Sequence, residues 1–158
     1  MTKILVVFLL CTWTAWCEPL GSVKFSTTGA GQGTWVEADR VDADHVRLRL
    51  KWKGRGGDRQ GDFLLSQSHL PQLSRVFEQA LAAAPRHSGK PQDFPVAEVR
   101  GNRLIFQNQS DGNLHVTYLI LKPAGKSQWN DWHIAQVNLE PGETASFRNL
   151  LAKMQKRS

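Results

Sequence analysis

The sequence predicts an α+β domain built from two ββββα units packed together. Three observations predict it. Stretches of β-rich or alternating residues come in two groups of four, each group is followed by a helical stripe, and the two groups recur at one spacing of 70 residues. The length of 158 residues, with 41% apolar and 22% charged residues, suits one domain with a real core. Disorder, collagen and a multi-domain enzyme do not fit that composition.

Before the first group stands Met1 to Cys17, with Lys3 ahead of the apolar run Ile4 to Leu10. The run is too short for a permanent membrane helix and suits the core of a secretory signal peptide. Cleavage after Cys17 places Ala15 at the minus-three position and frees Glu18-Pro19. The expected organisation is therefore a signal peptide at 1–17 and one domain at 18–158, secreted or periplasmic, with no stable transmembrane anchor once processed. Cys11 and Cys17 are the sole cysteines. The domain then has no thiol for a disulfide, a zinc-thiolate site or a nucleophile, and an exported chain without disulfides points to a bacterial periplasm.

In the first half, Val23–Thr28, Thr34–Arg40, His45–Lys53 and Gly61–Ser66 read as strands separated by turns rich in Gly, Asp or Arg. A helix over Leu70–Ala84 follows. It has Ser68 as N-cap, Pro71 in the first turn, a stripe of Leu73, Val76, Phe77, Ala80 and Leu81, and a stop before Pro85. Residues 85–95, with Ser88, Gly89, Pro91 and Pro95, have linker composition. The second half repeats the order, with strands at Ala97–Val99, Leu104–Gln109, Leu114–Lys122 and Trp132–Leu139 and a helix over Pro141–Met154. The repeat halves are about 22–84 and 92–154.

Residue n laid over residue n+70 matches Gly31 with Gly101, His45-Val46 with His115-Val116, Pro71 with Pro141, Phe77 with Phe147, and Leu81-Ala82 with Leu151-Ala152. Either a duplication or an ordinary α+β domain with accidental symmetry fits these matches. A half of about 65 residues buries too little apolar area to stand alone, so the two are expected to form one domain.

The passages Phe63-Leu64-Leu65-Ser66 with Ser74 to Leu81, and Ala135 to Pro141 with Ser146 to Lys153, each run from a strand through a turn into a helix with an aromatic step before leucines. In this the chain resembles the single-stranded nucleic-acid-binding fold shared by PUR repeats and Whirly proteins, in which ββββα units come in pairs. The likeness spans most of residues 31–154. It implies paired ββββα units and, for function, single-stranded nucleic acid as ligand. The chain lacks a glycine-lysine-rich Whirly signature, and an export signal is foreign to those families.

His45 to Lys53 reads His-Val-Arg-Leu-Arg-Leu-Lys-Trp-Lys, a strict alternation. It puts Val46, Leu48, Leu50 and Trp52 toward a core and His45, Arg47, Arg49, Lys51 and Lys53 on the opposite face. Arg55 and Arg59 follow in the next loop, so Arg47, Arg49, Lys51, Lys53, Arg55 and Arg59 are the candidate polyanion-binding set. Regularly spaced cations release counterions from a phosphate chain, and Arg also grips carboxylates and sulfates. The acidic Glu37, Asp39, Asp42 and Asp44 just upstream are placed to pair across the hairpin and mute that field. The equivalent second-half strand is expected to present Thr117, Leu119 and Leu121 on that face, an apolar surface for a protein or cell-envelope partner or for self-association. Trp129, in the polar stretch Ala124 to Asp131, is the candidate for stacking on bases.

No enzyme is expected. His45, His69, His87, His115 and His133 lack metal-ligand spacing, Ser66, Ser68 and Ser74 near His69 lack a nucleophile elbow, and Gly29-Ala30-Gly31-Gln32-Gly33 lacks the lysine of a phosphate loop. No cofactor and no metal are implied. The reading is an exported, non-enzymatic binding protein for an extended polyanion, single-stranded nucleic acid among the candidates. Its net charge is +6, or +5 once Lys3 is removed. The alternative is an exported protein or cell-envelope interaction module.

Overall fold

The computed structural model describes residues 17–25, 34–54, 57–86, 88–111, 114–123, 135–139 and 143–156. The chain is α+β, with two antiparallel four-stranded meanders and two helices. The first sheet is β1 (Glu18–Phe25), β2 (Thr34–Arg40), β3 (His45–Gly54) and β4 (Gly57–Ser66), in that spatial order. Helix α1 (Leu70–Ala83) follows, ending in a 3-10 turn at Ala84–Arg86 that carries Pro85. The second sheet is β5 (Gln92–Val99), β6 (Asn102–Asp111), β7 (Leu114–Pro123) and β8 (Ala135–Leu139), and α2 (Thr144–Gln155) closes the chain. Residues 1–16 of the expected signal peptide at 1–17 lie outside the described residues, as do His87, the glycine-rich stretch 29–33, Trp129, Trp132, His133 and Pro141.

The strands form where alternation puts apolar residues on one side. In β2 the buried Thr34, Val36, Ala38 and Arg40 alternate with half-buried neighbours, and in β3 Val46, Leu48 and Leu50 are fully buried. In α1 the stripe Leu70, Leu73, Val76, Phe77 and Ala80 is buried, as periodicity predicts. The N-cap differs from expectation. It is His69, without a side-chain cap bond, and the Ser68 hydroxyl instead meets that of Ser66 at 2.7 Å. The expected linker is also shorter, because Gln92–Pro95 are already paired in β5, opposite Asn108 through Ile105.

The helices cross over. α1 lies against β5 and β6 of the second sheet, while α2 lies against β1 and β2 of the first. Four phenylalanines, each fully buried, meet at the centre, one from each sheet and one from each helix. Phe77 is 4.9 Å from Phe147 and 5.4 Å from Phe106, and Phe147 is 6.2 Å from Phe25, measured between ring centroids. Edge-to-face rings add to area burial, and this one cluster joins both halves. Around it, α1 and α2 run antiparallel. Arg148 grips Glu78 with two bonds of 2.6 and 2.7 Å, and the Gln155 amide donates to the Leu70 carbonyl and to the Ser74 hydroxyl.

Two buried polar residues tie helix ends to the sheets. Asn108 in β6 donates to the carbonyl of Ala80 in the last turn of α1 and accepts from Thr117, both at 2.8 Å. Arg40 in β2 donates to the carbonyl of Lys156 at the end of α2 and lies 3.4 Å from the Glu18 carboxylate. Both contacts satisfy helix C-terminal carbonyls that would otherwise lack partners.

The second sheet corrects one expectation. Thr117, Leu119 and Leu121 are buried on the core side, not presented outward. The uniform spacing of 70 slips between β6 and β7. Val36 stands opposite Leu50, but Phe106 stands opposite Leu119, where that spacing calls for Ile120. A slip of one residue exchanges the two faces of a strand, so Tyr118 and Ile120 point away from the core instead.

Candidate interaction surface on the first sheet

The outer face of the first sheet is assembled from three cross-strand rows. Pro19, Asp39, Arg47 and Leu64 share one row, Ser22, Glu37, Arg49 and Asp62 the next, and Lys24, Trp35, Lys51 and Gln60 the third. Each sits in phase with a strand whose other face enters the core, so the alternation that buries Leu48 and Leu50 also fixes Arg47, Arg49 and Lys51 outward.

These three cations do not form an unopposed basic stripe. Arg47 donates to Asp39 at 2.8 Å, Arg49 to Glu37 at 3.0 Å and to Asp62 at 3.2 Å, and Lys51 to Glu37 at 2.7 Å. Arg49 also lies 3.6 Å from Asp39. Three cations are therefore interleaved with three carboxylates, and the field of the row is largely cancelled within the sheet. This corrects the open cationic face that the β3 alternation taken alone implies. Acids one strand away supply the opposing charge. The side chains of Lys53 and Arg59, and all of Arg55, lie outside the described residues, as does the stacking candidate Trp129.

The protonation behaviour follows from the contacts. Burial works to raise the pKa of Glu37, but the hydrogen bonds from Lys51 and Arg49 outweigh it and hold the carboxyl below its ordinary value. The bond that Arg47 donates to Asp39 raises the Arg47 pKa against the opposing effect of burial. For Arg49 burial is the largest effect and opposes charge, yet Glu37, Asp62 and Asp39 together raise its pKa. The pairing thus favours the charged forms of Glu37, Arg47 and Arg49.

Two further features mark the face. The Lys51 ammonium stands 6.0 Å from the centre of the Trp35 ring, and Leu64 is 42% exposed, the exposed large apolar side chain among the described residues. The side chain of Cys17, next to the start of β1, is 3.6 Å from the Arg47 guanidinium. At the turn into β3, Asp42 accepts from the Asp44 backbone at 2.8 Å and lies 2.9 Å from His45, so these residues stabilise a bend, as their spacing predicts.

Ser66 comes 2.8 Å from Nδ1 of His69. The same nitrogen takes the Ser66 backbone N–H at 3.4 Å, and His69 donates its own backbone N–H to the Ser66 carbonyl. The imidazole thus closes the turn between β4 and α1. Among the described residues, no group of three or more His, Cys, Asp or Glu side chains is arranged to hold a metal, and no helix is long and apolar enough to cross a membrane.

Sequence reading located Glu37 and Asp39 but not Asp62. The pairing of Gly54 with Gly57 sets the register that places Asp62 opposite Arg49. Sequence reading also missed the Glu78–Arg148 pair, although the spacing of 70 aligns these two positions with opposite charges. No protein-family model and no curated protein matches the chain.

Proposed function

We propose that the chain is an exported, non-enzymatic interaction module whose recognition surface is the outer face of β1–β4 and whose partner is a protein. The observation that carries this reading is the interleaving of Arg47, Arg49 and Lys51 with Glu37, Asp39 and Asp62. A polyanion meets three carboxylates on this face as well as the four cations Lys24, Arg47, Arg49 and Lys51, which leaves only a small excess of positive charge for the counterion release that drives such binding. A protein surface carrying both signs can match the pattern row by row. Trp35 and Arg side chains are also of the kind enriched where protein interfaces concentrate their energy.

The architecture in this reading is a pair of ββββα units of the PUR and Whirly kind. It is supported by the two meanders, the crossed helices, the contact between Phe77 and Phe147 at a spacing of 70, and the matching grips of Arg40 and Asn108 on helix ends. Fold likeness carries no ligand with it. Export rests on the apolar run Ile4 to Leu10, and β1 begins at Glu18, the residue that cleavage after Cys17 would free. Polyanion binding stays as the second reading through Lys53, Arg55 and Arg59, whose acidic neighbour in sequence is Asp58.

The test replaces Leu64 with a photoreactive amino acid in the full chain, expressed with its own leader. Irradiation is expected to give a protein adduct of defined mass, and amino-terminal sequencing of the processed chain is expected to begin at Glu18. Absence of any adduct overturns the reading. So does salt-sensitive binding of a single-stranded oligonucleotide that is lost in both Arg47→Ala and Arg49→Ala, an outcome that reinstates the polyanion.

A further inference from the structure

We propose that the partner for the outer face of the first sheet is the same face of a second copy of this chain, related by a two-fold axis that runs parallel to the strands above the seam between β2 and β3. This rests on the reading above and names the occupant of its surface.

A rotation about such an axis preserves position along the strands and exchanges β2 with β3 and β1 with β4. Each cross-strand row then meets itself reversed. In the first row Asp39 comes opposite Arg47 of the other copy, and Pro19 opposite Leu64. The second row brings Glu37 to Arg49 and Ser22 to Asp62, and the third brings Trp35 to Lys51 and Lys24 to Gln60. Every meeting joins opposite charges, an apolar pair, a cation with an aromatic ring, or a charge with a neutral hydrogen-bonding side chain. No row brings like charges together. The other in-plane two-fold, perpendicular to the strands, lays β3 on β3 and stacks Arg and Lys on Arg and Lys, so the charge pattern selects the first axis.

The geometry also lowers the usual obstacle to a charged interface. Desolvation opposes burial of ion pairs. Here the side chains of Asp39, Arg49, Lys51 and Glu37 keep only 17%, 21%, 24% and 26% of their exposure in the single chain, because each leans on its neighbours. Much of the water is already gone, and each cation is already aimed by a carboxylate. Docking adds one more carboxylate from the other copy to Arg47, which has Asp39, and to Arg49, which has Glu37, Asp62 and Asp39, with little further ordering of the side chains.

The experiment exchanges charges within one row. The double variant Asp39→Arg with Arg47→Asp keeps an ion pair within the chain and keeps complementarity with a copy of itself. Against the wild type it places arginine on arginine and aspartate on aspartate. In sedimentation velocity, the processed wild type and the double variant are each expected to dimerise at tens of micromolar, and Arg47→Asp alone to weaken dimerisation by about tenfold or more. In mixtures carrying distinguishable tags, wild type and double variant are expected to form few mixed dimers. A wild type that is monomeric throughout this range overturns the proposal, and so do mixed dimers at the statistical proportion, which would place the interface elsewhere. The Leu64 crosslink separates the two readings. An adduct of twice the chain mass is the expected result, an adduct with a different protein overturns self-association and leaves the interaction module standing, and no adduct removes both.

Discussion

Phe77 and Phe147 meet edge to face, 4.9 Å between centroids and 77° between planes, and the residues that follow them, Glu78 and Arg148, close a bidentate ion pair. The spacing of 70 that aligns them in sequence is also a contact in space. One helix from each half thereby touches its counterpart at its own equivalent position, and the guanidinium of Arg148 lies 5.9 Å from the Phe77 ring centre.

Removal of either ring opens a cavity shared by both sheets. Phe77→Ala and Phe147→Ala are each expected to cost about 3–5 kcal/mol in urea unfolding. The double variant is expected to cost less than the sum, because the second truncation removes contacts already lost. Additive values would show that the rings act independently.

Acid is expected to weaken the fold through Glu78 and Glu37. The Arg148 bond lowers the Glu78 pKa against the effect of burial, and cationic partners lower that of Glu37 in the same way. A folded-state pKa below the unfolded one contributes stability that is complete above the unfolded value, about 4.3 for Glu, and that is lost as pH falls through the folded value. Both pairs are partly solvent-screened, so Glu78→Gln is expected to cost under about 1 kcal/mol at pH 7. It should also flatten the decline of melting temperature below about pH 4.3. An unchanged acid profile in Glu78→Gln would contradict this.

Asn108 is expected to matter more than its single side chain suggests. Asn108→Ala leaves the Ala80 carbonyl and the Thr117 hydroxyl buried without their partner. The expected loss is about 1–3 kcal/mol. Hydrogen exchange should show it as faster opening of the last turn of α1, with the β2–β3 hairpin unaffected.

Leu119→Lys is expected to destabilise the chain by about 4 kcal/mol or more, since Leu119 is fully buried and the ammonium would have no partner. Leu64→Lys, on the exposed outer face, is expected to leave the melting temperature within a few degrees of wild type. Equal effects of the two would place Leu119 at the surface, against its register opposite Phe106.

Much of the fold was legible in local pattern. The alternation of His45 to Lys53 marked β3 and its two faces, and the stripe from Leu73 to Ala80 marked the buried side of α1, because period is a property of consecutive residues. The strand Thr34–Arg40 was read to its ends. What failed was long-range. A uniform spacing of 70 put Leu119 and Leu121 outward, since identity at His115-Val116 carries no information on the register of β7 against β6. The charge of the site failed for the same reason. The sign of Arg47, Arg49 and Lys51 was plain, but their field depends on Glu37, Asp39 and Asp62, which only pairing brings within 2.7–3.6 Å.

By itself the sequence determined which residues lie on each side of most strands and helices and the order of the elements, four strands and a helix followed by four strands and a helix. Those follow from the geometry of a pleated strand and a 3.6-residue turn, which act over a few residues at a time. The tertiary structure decided that the helices cross to opposite sheets, that four phenylalanines from four elements form one centre, and that Arg47, Arg49 and Lys51 of a basic strand are paired with acids of its neighbours. Those depend on which distant residues become neighbours, and Coulomb energies and packing act on distance in space, not on separation along the chain.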